Sequence, residues 1–291
     1  MNKIEKFVRT HRLPKEFLSI AEQYYQPLVT KIAKLTIGGS MRVLGISGAQ
    51  GTGKSTLAEF VAQVLIHDFG LTVVRLSLDD FYLRRSERLD LASNIHPLFA
   101  TRGVPGTHDI RLATKVIDGL LAGDRVQMPR FDKSLDDRAV VDHSDISEGR
   151  VNLVVLEGWC VGAKAQCSEL LLEPINELER IDDADGKWRT YSNEALASQY
   201  IGLYSKLDYL VFLKAPSFGC IYEWRSEQEK KLREKVGDGL GVMDSVALQR
   251  FIMHYERITR DCLTRLPITA DAVLNLDHAH GVDSLTYNNS N

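Results

Sequence analysis

The chain has little of what would mark a secreted, membrane-embedded or nucleic-acid-binding protein. Its four cysteines, Cys160, Cys167, Cys220 and Cys262, show neither a CxxC pair nor a Cys/His spacing typical of a zinc site. Free thiols are therefore expected, and with no signal-peptide pattern at the polar start the expected location is cytoplasmic. No apolar run approaches the roughly 20 residues needed to cross a bilayer, so no membrane partner is expected. The balance of 36 basic against 39 acidic residues, net -3, offers no global attraction for nucleic acid. Repeats and low-complexity segments are also missing. What remains, 291 residues of which 44% are hydrophobic, suffices for one large α/β domain or two small ones.

Against that plain background stands Gly48-Ala49-Gln50-Gly51-Thr52-Gly53-Lys54-Ser55, two glycines flanking four residues and followed by lysine and a hydroxyl. This is the spacing of a phosphate-binding loop. The apolar run Arg42 to Ser47 before it reads as a buried strand. After it, Leu57, Phe60, Val61, Val64 and Leu65 recur at helical spacing. In such a loop the backbone N–H groups and the helix N-terminus attract the β-phosphate, and glycine lets the backbone approach closely. Lys54 then neutralises the β- and γ-phosphates, Ser55 ligates Mg²⁺, and Thr56 caps, packs or meets the α-phosphate. The loop implies a nucleoside triphosphate but does not distinguish a kinase from an ATPase or GTPase.

Further strands are expected at Leu71 to Ser77, Val151 to Leu156, Asp208 to Lys214 and Ala270 to Leu276, separated by helices such as Ile110 to Leu121 and Ser245 to Leu266. That alternation predicts an α/β fold of the P-loop NTPase type, a mainly parallel sheet with helices on both faces. Residues 3 to 37 read as helical with a break at Pro14, so 1–40 is expected to form an N-terminal appendage packed on a kinase-like domain spanning 41–291. Its tyrosines are expected to pack in the core. The polar stretch Glu177 to Asn193 reads as a mobile excursion.

Two acids end one strand-like run, in Ser77-Leu78-Asp79-Asp80-Phe81-Tyr82. The carboxyl edge of a parallel sheet is where ligands bind, and phosphoryl transfer needs a carboxylate to orient and deprotonate the acceptor. Asp79 is assigned that role, the alternatives being a turn cap or a water-mediated contact to Mg²⁺. The run Val151 to Leu156 ends in Glu157, a second expected Mg²⁺ ligand. No Asn/Thr-Lys-x-Asp guanine signature follows a later strand, so ATP is the expected nucleotide. A helix from Phe218 to Lys235 bearing Arg225, Lys230, Lys231 and Arg233, with the glycine-rich 237–241, reads either as a closing lid at about 217–241 or as a solvated face. Arg102, His108 and Asp109 lie in one polar segment between the acids, and Arg130, Lys133 and Arg138 in another. Together with Asp80 and Tyr82 they are the candidates for the acceptor side. His108 either holds substrate or caps the following helix.

Taken together, these residues resemble the plant-type D-glycerate 3-kinase family, in the P-loop kinase branch with uridine kinase, pantothenate kinase and phosphoribulokinase. The resemblance spans roughly Arg42 to Pro267. It is carried by Gly48 to Thr56, Asp79-Asp80-Phe81-Tyr82, Arg102-Gly103, Gly106-Thr107-His108-Asp109, Arg130 to Ser134, Glu157-Gly158-Trp159, and Trp224-Arg225 with Glu229 and Arg233. The chain departs from the pattern at Leu135-Asp136-Asp137-Arg138 and at Cys160-Val161-Gly162. The resemblance implies ATP and Mg²⁺, Asp79 at the catalytic-base position, Arg225 in a lid, and a small hydroxy acid as acceptor, D-glycerate foremost. Two alternatives stay open at this point: another acceptor of the uridine or pantothenate kinase type, and an ATPase or switch acting on a protein partner.

Overall fold

Six strands form the central sheet: β1 Val43–Gly48, β2 Val73–Ser77, β3 Leu153–Gly158, β4 Tyr209–Lys214, β5 Ala272–Leu276 and β6 Val282–Tyr287. The computed structural model describes residues 3–140, 145–236 and 243–288. The strand order is β6-β5-β4-β1-β3-β2, parallel throughout except for β6, which runs antiparallel to β5 at one edge. Every residue of β1 and β3 is buried, as expected for strands covered on both faces. Alternate side chains serve opposite layers: Leu44, Ile46, Leu153 and Val155 join one core, and Val43, Val154 and Leu156 the other.

The first core packs under the Lys54–Phe69 helix and the N-terminal helices. Phe60 is its aromatic centre, edge-on to Phe7 at 5.2 Å and close to Tyr25 at 5.6 Å between ring centroids. Truncating so buried a ring to alanine costs about 3–5 kcal/mol, so the N-terminal segment braces the very helix that follows the phosphate loop. Both tyrosines pack on this core as expected, Tyr24 from its half-buried margin. Tyr25 is buried in this core, and Tyr24 donates its hydroxyl to the carbonyl of Asp283 on β6. The second core lies under the Ile110–Ala122 and Ser245–Thr269 helices.

Register positions the site. Glu157 on β3 is paired with Ile46 on β1 and with Ser77 on β2, so the ends of all three strands lie level. The phosphate loop, Asp79 and Glu157 therefore emerge at one carboxyl edge, where such folds bind ligands.

Two expectations change. Glu177 to Asn193 is no loose excursion, because it holds the helix Glu177–Ile181 and the first part of the helix Lys187–Ala197. Two of its acids are turned inward: fully buried Asp183 meets Arg189 at 2.8 Å, and fully buried Glu179 meets Arg257 at 2.6 Å. The strands also start up to two residues later than the apolar runs suggest, because Leu71, Thr72, Val151 and Asn152 serve the entering turns. Asn152 accepts the Thr72 N–H at 2.8 Å there.

Candidate active site

Backbone geometry prepares the loop for an anion. Gly53, at φ +83°, caps the Lys54–Phe69 helix from the left-handed region, and a Cβ built there would meet nothing within 4 Å. At Gly48 the reason for glycine is different. A Cβ there would collide with Thr52 Oγ1, which donates to the Ala49 carbonyl at 2.8 Å and closes the turn.

A cleft of about 440 Å³ opens from this loop, walled by Gln50, Gly51, Gly53, Lys54, Ser55 and Thr56 on one side. Asp79, Tyr82, Arg102, Lys133, Trp159 and Arg225 form the other walls, with Tyr255 and Phe251 from the Ser245–Thr269 helix. Asp79 follows β2 in a single helical turn, Leu78–Phe81, and its Oδ2 accepts from Lys133 Nζ at 2.7 Å. Burial by itself would raise the Asp79 carboxyl, but Lys133 and Lys54 outweigh it and hold the group below the usual carboxylate range. Asp79 is therefore ionised at neutral pH.

Ser55 Oγ donates to Glu157 Oε1 at 2.8 Å, and Glu157 Oε2 is buried with no hydrogen-bond partner among the described residues. An orphaned buried carboxylate oxygen beside a hydroxyl, at the root of a phosphate loop, is a hard-oxygen donor set that fits Mg²⁺. Arg225 reaches the cleft from the Phe218–Val236 helix and pairs with Glu229 one turn further on at 2.8 Å. The glycine-rich 237–241 expected to complete a lid lies outside the described residues.

Several acceptor-side candidates support the cleft from behind instead of lining it. Asp80 accepts from Arg130 at 3.1 Å and from the Phe131 N–H at 3.2 Å, and Arg130 also pairs with Asp145 at 2.7 Å. Both charges of the Asp80–Arg130 pair are thus occupied in anchoring the turn that carries Lys133. Arg138 donates to the Tyr82 carbonyl at 2.9 Å and to Asp109 at 3.0 Å, while Asp109 caps the Ile110–Ala122 helix through Leu112 N–H. The helix cap is Asp109, not His108. His108 instead stacks on Tyr82 with ring centroids 4.4 Å apart, and its Nδ1 lies 2.6 Å from the Tyr200 hydroxyl. Burial pushes its imidazole down to about 4, so the ring is neutral at working pH. Arg102 stays in the wall, paired with Asp136 and lying over the Phe131 ring.

Two participants escaped sequence reasoning. Tyr255 donates to the Arg102 carbonyl at 3.1 Å and packs edge-on to Trp159, a role hinted at only by the Phe251/Tyr255 spacing of four. His280 stacks on Trp224 with ring centroids 4.3 Å apart, and its Nδ1 lies 3.1 Å from the Gly51 carbonyl. No local pattern marks His280, because it lies in the turn between β5 and β6.

No protein-family model matches the chain. It is 31% identical over 229 residues to the uncharacterized kinase mug58 of Schizosaccharomyces pombe, spanning 73% of this chain and 78% of that protein. It is 29% identical over 257 residues to a probable ATP-dependent kinase, TDA10, of Saccharomyces cerevisiae, spanning 82% and 83% respectively. Among solved structures, a D-glycerate 3-kinase from Cryptococcus neoformans superposes with a TM-score of 0.72 at 23% identity, over 90% of this chain and 99% of that one.

Proposed function

We propose that this chain, which belongs to the glycerate kinase-like family of P-loop kinases, transfers the γ-phosphate of ATP to a hydroxyl of a small acid, with D-glycerate as that acid and 3-phosphoglycerate as product. Phosphotransfer from ATP comes with the family. The acceptor is the proposal, and the observation that carries it is Asp79 held among Lys54, Lys133, Arg102 and Arg225 in one cleft at the mouth of the phosphate loop. A carboxylate next to the γ-phosphate position can take a hydroxyl proton, and the surrounding cations suit an acceptor that is itself an anion.

In this reading the acceptor's carboxylate draws Lys133 away from Asp79. The Lys133 side chain is 62% exposed and sits on a turn, so it is free to swing. Asp79 then accepts the hydroxyl proton while the new O–P bond forms and the bond between the γ-phosphorus and the β–γ bridging oxygen breaks, releasing ADP. Binding of the correct acceptor thus frees the base, which limits transfer to water. Lys54 and the loop N–H groups hold the phosphates, and Arg225 faces the charge that develops on the transferring group. Ser55 and Glu157 would hold Mg²⁺, which supplies further neutralisation of phosphate charge.

Acceptor-dependent ADP release, measured with MgATP and a panel of hydroxy acids and nucleosides, tests the assignment. Release with D-glycerate supports it. Release only with nucleosides rejects the acid acceptor, and equal release with no acceptor points to an ATPase or switch.

A further inference from the structure

Ser217 opens the Phe218–Val236 helix, its Oγ accepting the Cys220 N–H at 3.2 Å. That cap sets the Cys220 side chain in the first turn, with Glu223 three positions on along the same face. The turn after β5 brings His278 to the same spot from 58 residues away, its Nδ1 3.2 Å from Cys220 Sγ. Ligand atoms of Cys220, Glu223 and His278 all lie within 4.8 Å of one another. Trp224 Nε1 donates to the His278 carbonyl at 2.9 Å, fixing the turn on the helix.

We propose that Cys220, Glu223 and His278 form a binding site for a zinc-class divalent ion at the root of the Phe218–Val236 helix, separate from the Ser55–Glu157 site. A thiolate, an imidazole and a carboxylate make a borderline-soft set that favours Zn²⁺ or Co²⁺ over Mg²⁺. The spacing agrees, because Zn–S and Zn–N bonds of about 2.3 and 2.0 Å in a tetrahedron place their ligand atoms roughly 3.5 Å apart. Cys220 is 3% exposed whereas Glu223 and His278 are open to solvent, so an ion enters from one side and meets a shielded sulfur. Coordination replaces the thiol proton, which leaves to solvent, and water completes the shell. Sequence spacing showed no such site because its cysteine and histidine meet only through the fold.

Occupancy would reach the phosphate loop by a short route. His280, two residues beyond His278, is the ring that stacks on Trp224 and faces the Gly51 carbonyl. An ion joining His278 to Cys220 therefore braces the helix that carries Arg225 against the turn that touches the loop.

Co²⁺ titration of the chelator-stripped full chain, in reducing buffer without ATP or acceptor, tests the site independently of kinase activity. The expected result is a thiolate-to-cobalt charge-transfer band that saturates at one equivalent and is displaced by Zn²⁺. The band should vanish in Cys220→Ser and in His278→Ala, and persist in Cys167→Ser, which removes an exposed thiol elsewhere. His278 is exposed, so its variant decides the matter even if Cys220→Ser folds poorly. Absence of the band in the wild-type chain, or its persistence at unchanged affinity in His278→Ala, would overturn the proposal.

Discussion

Lys133 Nζ donates to Asp79 Oδ2 at 2.7 Å, across 54 residues of sequence, and this contact lies in the cleft that opens from the phosphate loop. The pair sets both the charge and the availability of the proposed base. Because Lys133 and Lys54 depress the Asp79 carboxyl, its ionised form persists as pH falls below the ordinary carboxylate range. Lys133→Met removes one of those cations. The acidic limb of kcat/KM should move to higher pH, and KM for the acid should rise. A pH–rate profile measured with saturating MgATP checks this, and an unmoved limb would separate Lys133 from Asp79.

Glu157 offers a different test. With Oε1 engaged by Ser55 and Oε2 orphaned, the carboxylate is set for an ion more than for the fold. Glu157→Gln keeps the shape and removes the charge. The Mg²⁺ concentration for half-maximal rate should rise by about tenfold or more, with the melting temperature little changed. Mg²⁺ titration of the rate reads it directly, and an unchanged dependence would reject Glu157 as a ligand.

His108 makes stability depend on pH. Its folded-state value of about 4 lies below the ordinary 6.5, so between those values the unfolded chain binds the extra proton. Stability should therefore fall as pH drops from 6.5 towards 4, by an amount on the order of 3 kcal/mol for this group alone. Denaturant melts of wild type and His108→Gln across that window check the sign. The variant should be less stable at neutral pH and show a shallower slope, and equal slopes would contradict the assignment.

The parts legible in sequence were those whose signal is local. An apolar run ending in Gly48 to Ser55, and another ending in Glu157, state strand, turn and chemistry within a dozen positions. Parallel pairing then places the two together. Side-chain partnerships across the chain carry no such signal. Nothing near Asp79 announces Lys133, and Arg130 and Arg138 look as available as Lys133 until Asp80, Asp145 and Asp109 are seen to occupy them. Glu177 to Asn193 misled for the same reason. Its acids suit a solvent loop, and only Arg189 and Arg257 explain the burial of Asp183 and Glu179. The edge strand β6 escaped because Val282–Tyr287 is half polar, with no continuous apolar run.

The most direct test of the account is D-glycerate-dependent ADP release by wild type and Asp79→Asn side by side, with the phosphorylated product identified and ATP affinity measured separately. The wild-type enzyme should form 3-phosphoglycerate. Asp79→Asn should lose about 10²-fold or more in kcat while its ATP affinity changes little, because the base acts in the transition state and not on the nucleotide. An Asp79→Asn enzyme that phosphorylates D-glycerate at the wild-type rate would contradict it.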